Sequence, residues 1–275
     1  MPNFLIVEYG AEHTDIVKRL LSLRGYESQA ASSCEEALAK LRRQRPDVIT
    51  INPMLPDRTG FDLCKCLKSE RVMCLIPVIV ITSLSEQQFR EQGFRFGSNA
   101  HLTMPYSVDQ FFEAVEEALR CPKDHAARCG VGEIVIDTRH EDSRLRQTND
   151  LIVDVLTLTS LPEDEAGELK QIVLEMGDRL RDWGCQRQCE RVASLHWKVE
   201  RDRINLAICR DGLPAGSPDD PLSMSLDALV ERCRFIELPG GRTGERVVLD
   251  RIIGTPRTMG LLPFASLQSA SPPVV

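Results

Sequence analysis

The sequence predicts an α/β first half, a five-stranded doubly wound parallel sheet, followed by a C-terminal α+β two-layer sandwich. Three observations lead there. Within residues 1–120, the strand-like runs FLIV, VITI, PVIVIT and AHLT, with the weaker ESQAAS, alternate with amphipathic helical stretches. Near-continuous apolar strands alternating with amphipathic helices mark a parallel sheet covered on both faces. Beyond residue 142 the order changes to helix, helix, then runs of alternating polarity. A length of 275 residues also suits two domains of ordinary size better than one.

The elements can be read in order. FLIV (4–7) is a short first strand. From about Thr14 to Leu23, Ile16, Val17, Leu20 and Leu21 share one side of a helix, and Gly25 is a suitable stop. ESQAAS is the second strand. Ser33 starts the helix CEEALAKLRRQ, with Glu36 three residues on completing a capping box. VITI, the helix FDLCKCLKSE, PVIVIT, a helix near 85–95, AHLT and the helix VDQFFEAVEEALR complete five β–α units. In such a sheet chemistry sits outside the carboxyl ends of the strands. Those ends carry Glu8 and Tyr9, Asn52, Thr82 and Ser83, and Met104 before Pro105.

The bulk numbers exclude several classes. With 42% hydrophobic and 27% charged residues the chain has material for a core. A formal net charge of -7 gives no general attraction to phosphates or anionic lipid, so nucleic acid is not expected as a partner. The start, MPNFLIVEYGAEH, lacks a basic signal region. The most apolar stretch, CLIPVIVITSL, is strand-length and not a membrane span. These features place the expected location in the cytoplasm, with no membrane partner. Ten cysteines include Cys64 and Cys66, one residue apart, and Cys185 and Cys189, three apart. Neither is a zinc-knuckle pair, so reduced thiols packed as small hydrophobes are expected, with a redox or metal role for Cys185 and Cys189 as the alternative.

With those residues in place, 1–120 resembles a response-regulator receiver domain. The resemblance rests on LIVEYG, PDVITINPMLPDRTGFDLC, PVIVITS and GSNAHLTMP, with Met54, Pro56 and Gly60 spaced as that family has them. It implies an aspartate nucleophile at the end of the third strand and an acidic pair after the first that helps hold magnesium through oxygen ligands. It further implies a lysine before the last proline and a hydroxyl on the fourth strand. Here those positions read Asn52, Glu8 and Tyr9, Met104, and Thr82. A carboxamide does not form an acyl phosphate, and Pro53 lacks the N–H that the usual deamidation route uses. The pocket therefore reads as a degenerate phosphoacceptor site without metal. The plainer alternative makes Asn52 an ordinary turn residue. The family's aromatic switch on the last strand falls at His101.

Residues 121–142 read as a linker: CPKDHAARCGVG is polar and punctuated, and GEIVIDT is a candidate first strand of the next domain. In 143–254, DLIVDVLTL and a long helix from Pro162 to a stop at Gly184 precede the hairpin ASLHWKVERDRINLAICRDG. DALVERCRFIEL then reads as a short helix leading toward another strand, and GGRTGERVVLDRII as a glycine turn and a final strand. The tail 255–275 is expected to be frayed. The order of elements, Glu175 with Gly184, NLAICRDGLPAG and GGRTGERVVLDRII resemble a GHKL ATPase domain of the anti-sigma-factor serine kinase type. That resemblance places the magnesium-binding asparagine at Arg179, the adenine-reading aspartate at Arg210 with Asp211 adjacent, and the loop glycines at Gly212 and Pro214. Glu175 falls at the general base, or is simply a solvated helix carboxylate. The lid PLSMSLDAL has no glycine, although a phosphate cradle needs close backbone approach.

Together the two resemblances imply an atypical response regulator of two-component or partner-switching signalling. It would act by protein–protein interaction, with no catalytic residues, no kinase activity and no cofactor. The implied partner is a sigma factor, an anti-sigma antagonist or a histidine kinase, with a homodimer through the helix-4, strand-5, helix-5 face as a further option. Two alternatives stand. The second half is an active serine kinase that binds ATP and magnesium through an altered loop, or the chain is a DNA-binding regulator with GGRTGERVVL as the wing of a winged helix. The latter lacks a basic recognition helix, since LSMSLDALVERCRFIEL holds two arginines against three acids.

Overall fold

The computed structural model describes residues 1–84, 87–188, 190–200, 203–210, 235–237 and 247–252. They divide into two units, Met1–Asp124 and His125–Val275.

In the first unit, strands β1 (Asn3–Val7), β2 (Glu27–Ala31), β3 (Val48–Ile51), β4 (Val78–Thr82) and β5 (Ala100–Thr103) form a parallel sheet of order β2-β1-β3-β4-β5. Helices α1 (Ala11–Leu23), α2 (Cys34–Arg43), α3 (Gly60–Ser69), α4 (Gln87–Phe96) and α5 (Val108–Arg128) connect them or follow, the residues of α5 from His125 on belonging to the second unit. Successive strand residues point to opposite faces, which explains why β1 is apolar at consecutive positions. Phe4 and Ile6 pack with Val17, Leu21, Phe111 and Val115 on one face. Leu5 and Val7 pack with Ala37, Leu41, Leu63 and Leu67 on the other. The receiver-like sheet expected from the strand pattern is the one observed.

The helix ends carry local detail. Ser33 Oγ accepts from Glu36 N at 3.1 Å, as the capping box requires, but the Glu36 carboxylate accepts in return from Ser32 N, at 2.8 Å. Helix α1 begins at Ala11, three residues before Thr14, and the chain leaves it through Arg24 and Gly25, whose φ of 71° suits glycine. Helix α5 does not stop at Arg120. It runs to Arg128 with Pro122 inside it, so part of the expected linker is helical. A proline removes one N–H from the ladder; beyond it Ala126 and Ala127 favour helix, and His125 gains burial.

The second unit contains β6 (Val131–Asp137), α6 (Glu141–Leu158), α7 (Glu163–Arg187), β7 (Arg191–Glu200), β8 (Arg203–Arg210), β9 (Phe235–Glu237) and β10 (Val247–Ile252). Its sheet has the order β6-β7-β8-β10-β9 with antiparallel pairs throughout. Helices α6 and α7 pack on each other and on β6 and β7. The expected hairpin is present, with Glu200 opposite Arg203. Gly184 does not end α7. It is buried within the helix, which closes at Gln188 in the left-handed region, φ 57°. Of DALVERCRFIEL only 235–237 are described, as strand; the rest of the expected helix and the tail 255–275 lie outside the described residues.

Two buried polar clusters hold the helices of this unit. Arg144, 1% exposed, donates to Glu141, Asp178 (2.5 Å) and the Leu174 carbonyl (3.3 Å), which ties α6 to α7. Asp154, also 1% exposed, accepts from Trp197 Nε1 at 2.7 Å and lies 2.9 Å from His125 Nε2. A charge taken out of water needs such partners. Among the described residues no helix is long and apolar enough to cross a membrane.

Candidate functional site

The strand order reverses direction between β1 and β3, where an open α/β sheet leaves a crevice at its carboxyl edge. Glu8 follows β1 and Asn52 follows β3, and Asn52 N donates to the Val7 carbonyl at 2.9 Å. The Asn52 side chain is fixed at both ends. Its Oδ1 accepts from Met54 N at 2.9 Å, which only an oxygen does, so Nδ2 faces Glu8 and reaches both carboxylate oxygens at 2.9 and 3.1 Å.

Glu8 is buried and its remaining capacity is also filled. Gly10 N donates to Oε1 at 2.8 Å, and His13 Nδ1 lies 2.8 Å from Oε2. Burial pushes the Glu8 carboxyl up. Hydrogen bonds from His13, Gly10 and Asn52, with the charge available on His13, outweigh that and hold it below its ordinary value. An ionised carboxylate only accepts, so the proton between the two lies on His13 Nδ1. The far nitrogen, Nε2, is 2.8 Å from Tyr106 Oη. Burial, and then the Glu8 charge, push the Tyr106 phenol up to about 12. A chain Tyr106–His13–Glu8–Asn52 thus joins the β5–α5 loop, α1, and the ends of β1 and β3.

The other expected positions are around this chain. Thr82, buried, accepts from Leu84 N at 3.1 Å through Oγ1. Met104 packs against the core cluster of Phe4 and Phe111, and its N–H donates to the Thr82 carbonyl at 2.7 Å. Tyr9 points out, 67% exposed. His101 is half-buried on β5, opposite Val80 of β4. The β3–α3 loop is fastened twice more. Asp57 accepts from Cys34 N and Glu35 N at the start of α2 (3.0 and 2.9 Å), and Gly60 N donates to the Pro53 carbonyl at 2.9 Å.

Sequence reasoning missed His13 and Tyr106. Each offered a weak signal: a histidine five residues after a strand-end acid, and a tyrosine directly after the Met104–Pro105 pair.

In the second unit Glu175 and Arg179 are exposed, one turn apart on α7, and Glu175 accepts from Gln171 Nε2 at 2.7 Å. Arg210 ends β8, opposite Ala193, and nothing is described of its side chain. Asp211, Gly212 and Cys189 lie outside the described residues, while Cys185 is exposed. Among the described residues no group of three or more His, Cys, Asp or Glu could hold a metal ion.

The family description "response regulator receiver domain" matches residues 4–116, the sheet and the helices around this crevice. Residues 4–116 are a response regulator receiver domain. The receiver is 32% identical over 120 residues to the DNA-binding dual master transcriptional regulator RpaA of Synechocystis, a match that spans 44% of this chain and 50% of that protein. It is similar, at 30% over 137 residues, to the phosphate regulon transcriptional regulatory protein PhoB of Pseudomonas aeruginosa, spanning 49% and 60%. The chain thus spans about half the length of the curated relatives it matches. A solved signal receiver domain of a histidine kinase from Syntrophus aciditrophicus matches 43% of this chain and 90% of its own, at 28% identity and a TM-score of 0.41.

Proposed function

We propose that this receiver domain signals without phosphate, as a pseudo-receiver whose output is protein–protein contact. The observation that carries the reading is the paired bond from Asn52 Nδ2 to Glu8. The amide occupies the nucleophile's place, and its hydrogens engage the carboxylate that a metal ion would need. Gly10 N and His13 complete the acceptor shell of Glu8, so a magnesium ion would have to displace donors to enter. Met104 adds no countercharge. The partner class we assign is a signalling protein of a two-component or partner-switching system, such as a histidine kinase, a sigma factor or an anti-sigma antagonist. The test is acetyl phosphate with magnesium on the full chain, read by intact mass. No acyl phosphate is expected, and a hydroxylamine-labile phosphoryl group would overturn the reading.

For the second unit we propose a GHKL-like sandwich without kinase activity. Supporting it are the element sequence β6, α6, α7, β7, β8 and the place of Arg179, a cation, where the resemblance puts a magnesium-binding asparagine. Titration with ATP, with and without magnesium, tests this. Magnesium-dependent binding in the micromolar range would favour an active kinase instead. The names of RpaA and PhoB motivate a second reading, a DNA-binding output. Salt-dependent binding of the full chain to duplex DNA would support it.

A further inference from the structure

We propose that Tyr106 is a nucleophile for acyl transfer, with His13 as its general base and Glu8 as the residue that positions the base. The three groups stand in the order that nucleophilic catalysis uses: hydroxyl, imidazole, carboxylate. Tyr106 Oη is 2.8 Å from His13 Nε2, and His13 Nδ1 is 2.8 Å from Glu8 Oε2. Because ionised Glu8 only accepts, it holds the proton on Nδ1 and turns the Nε2 lone pair toward the hydroxyl. Gly10 N and Asn52 Nδ2 fix the carboxylate in turn. The phenol is kept protonated at neutral pH, so its attack depends on a base at the moment of reaction.

The chemistry of the surroundings selects the donor. Glu8 is an anion and Met104 is neutral, so a phosphoryl group would bring negative charge beside negative charge. A neutral activated carboxylic ester or thioester brings none. In the step, Tyr106 Oη forms a bond to the acyl carbon while its proton passes to His13 Nε2. The bond from the acyl carbon to the leaving group breaks, and its electron pair leaves on that oxygen or sulfur. The imidazolium, paired with Glu8, then returns its proton to the leaving group or to water. The product is an O-acyl ester on Tyr106. This activity goes beyond the pseudo-receiver reading and does not depend on it.

The chain supplies its own controls, since it has three tyrosines. Tyr9 is far more accessible, 67% exposed, and no hydrogen-bonded histidine is among its described contacts. The full-length protein would be treated with p-nitrophenyl acetate at neutral pH and acetylation followed peptide by peptide. Tyr106 is expected to acetylate about 10²-fold faster than Tyr9 or Tyr26, a general base's ordinary contribution. His13→Gln should bring Tyr106 down to the Tyr9 rate. Glu8→Gln should do nearly the same, because an amide can donate to Nδ1 and put the proton on Nε2, and Glu8→Asp should restore part of the rate. Equal or slower labelling of Tyr106 in the wild-type protein would overturn the proposal, and that comparison needs no variant. So would an undiminished rate in folded His13→Gln. The readout is an acetyl group on Tyr106, distinct from the phosphoryl group at residue 52 that bears on the pseudo-receiver reading.

Discussion

Asn52 and Glu8 are joined by two hydrogen bonds, 2.9 and 3.1 Å, from one amide nitrogen to both oxygens of one carboxylate. The Met54 N–H on Oδ1 prevents the amide from turning over. Asn52→Asp therefore replaces a donor with an acceptor and sets two carboxylates against each other. We expect a loss of about 1–3 kcal/mol at pH 7, the ordinary cost of a buried polar group losing its partner. One carboxyl of the new pair would have a raised folded-state pKa, so the variant should regain stability relative to wild type as pH falls toward 5. Magnesium should stabilise the variant and leave the wild type unchanged. Urea unfolding at two pH values, with and without the ion, measures all three effects.

Glu8 itself gives the first unit an acid-labile element. Its carboxyl is held below the ordinary value in the folded state, so folding favours the ionised form. For a depressed carboxyl the stabilisation is complete above the unfolded pKa, about 4.3, and is lost as pH falls through the lower folded value. Denaturant titrations between pH 3 and 7 should show stability falling below about pH 4.5. Glu8→Gln should be less stable at pH 7 and show a shallower decline in that window. An unchanged slope would mean that the carboxyl is not engaged as described.

Gly60 sits where a side chain has no room. A Cβ there would meet the Asn52 carbonyl and the Ile51 side chain, with the Asn52 carbonyl carbon at 3.0 Å. Backbone on that side cannot yield as a flexible side chain does. Gly60→Ala should cost about 1–3 kcal/mol, as overpacking does, even though alanine is the better helix former at the start of α3. It should also shift the β3–α3 loop, visible as amide chemical-shift changes at Asn52 and Met54.

The sheet of the first unit was legible because β1, β3 and β4 are apolar at all but one position each (Asn3, Thr50 and Thr82), a pattern that two-sided burial explains. The same regularity fixed Glu8, Asn52, Thr82 and Met104 as neighbours, since each follows or ends a strand at the same edge. His13 and Tyr106 were not legible. A histidine on the first turn of a helix and a tyrosine in a loop announce no partner, and their contact spans 93 positions. The run of α5 past Pro122 was misread because proline usually ends a helix, and Gly184 was misread as a stop although it is packed inside α7. The pairing of Trp197 with Asp154 had no sequence signal either: both read as ordinary residues of amphipathic elements.

Gly177 and Arg144 set helix propensity against packing. Gly177 lies in the middle of α7, where alanine would ordinarily add about 1 kcal/mol of stability. A Cβ there would press on the Arg144 guanidinium, with Cζ at 2.8 Å and Cδ at 3.2 Å. That guanidinium is at the end of a flexible side chain, yet it is pinned by Glu141, Asp178 and the Leu174 carbonyl and has almost no exposure. Moving it would pull a buried guanidinium off its carboxylate partners, which costs more than the propensity returns. Gly177→Ala should therefore destabilise the second unit, by about 1–3 kcal/mol. In an Arg144→Met background, where the guanidinium is gone, the same substitution should become neutral or stabilising. A double-mutant cycle in thermal unfolding reads this reversal of sign directly. Equal effects in both backgrounds would show that the glycine is not there to make room for the arginine.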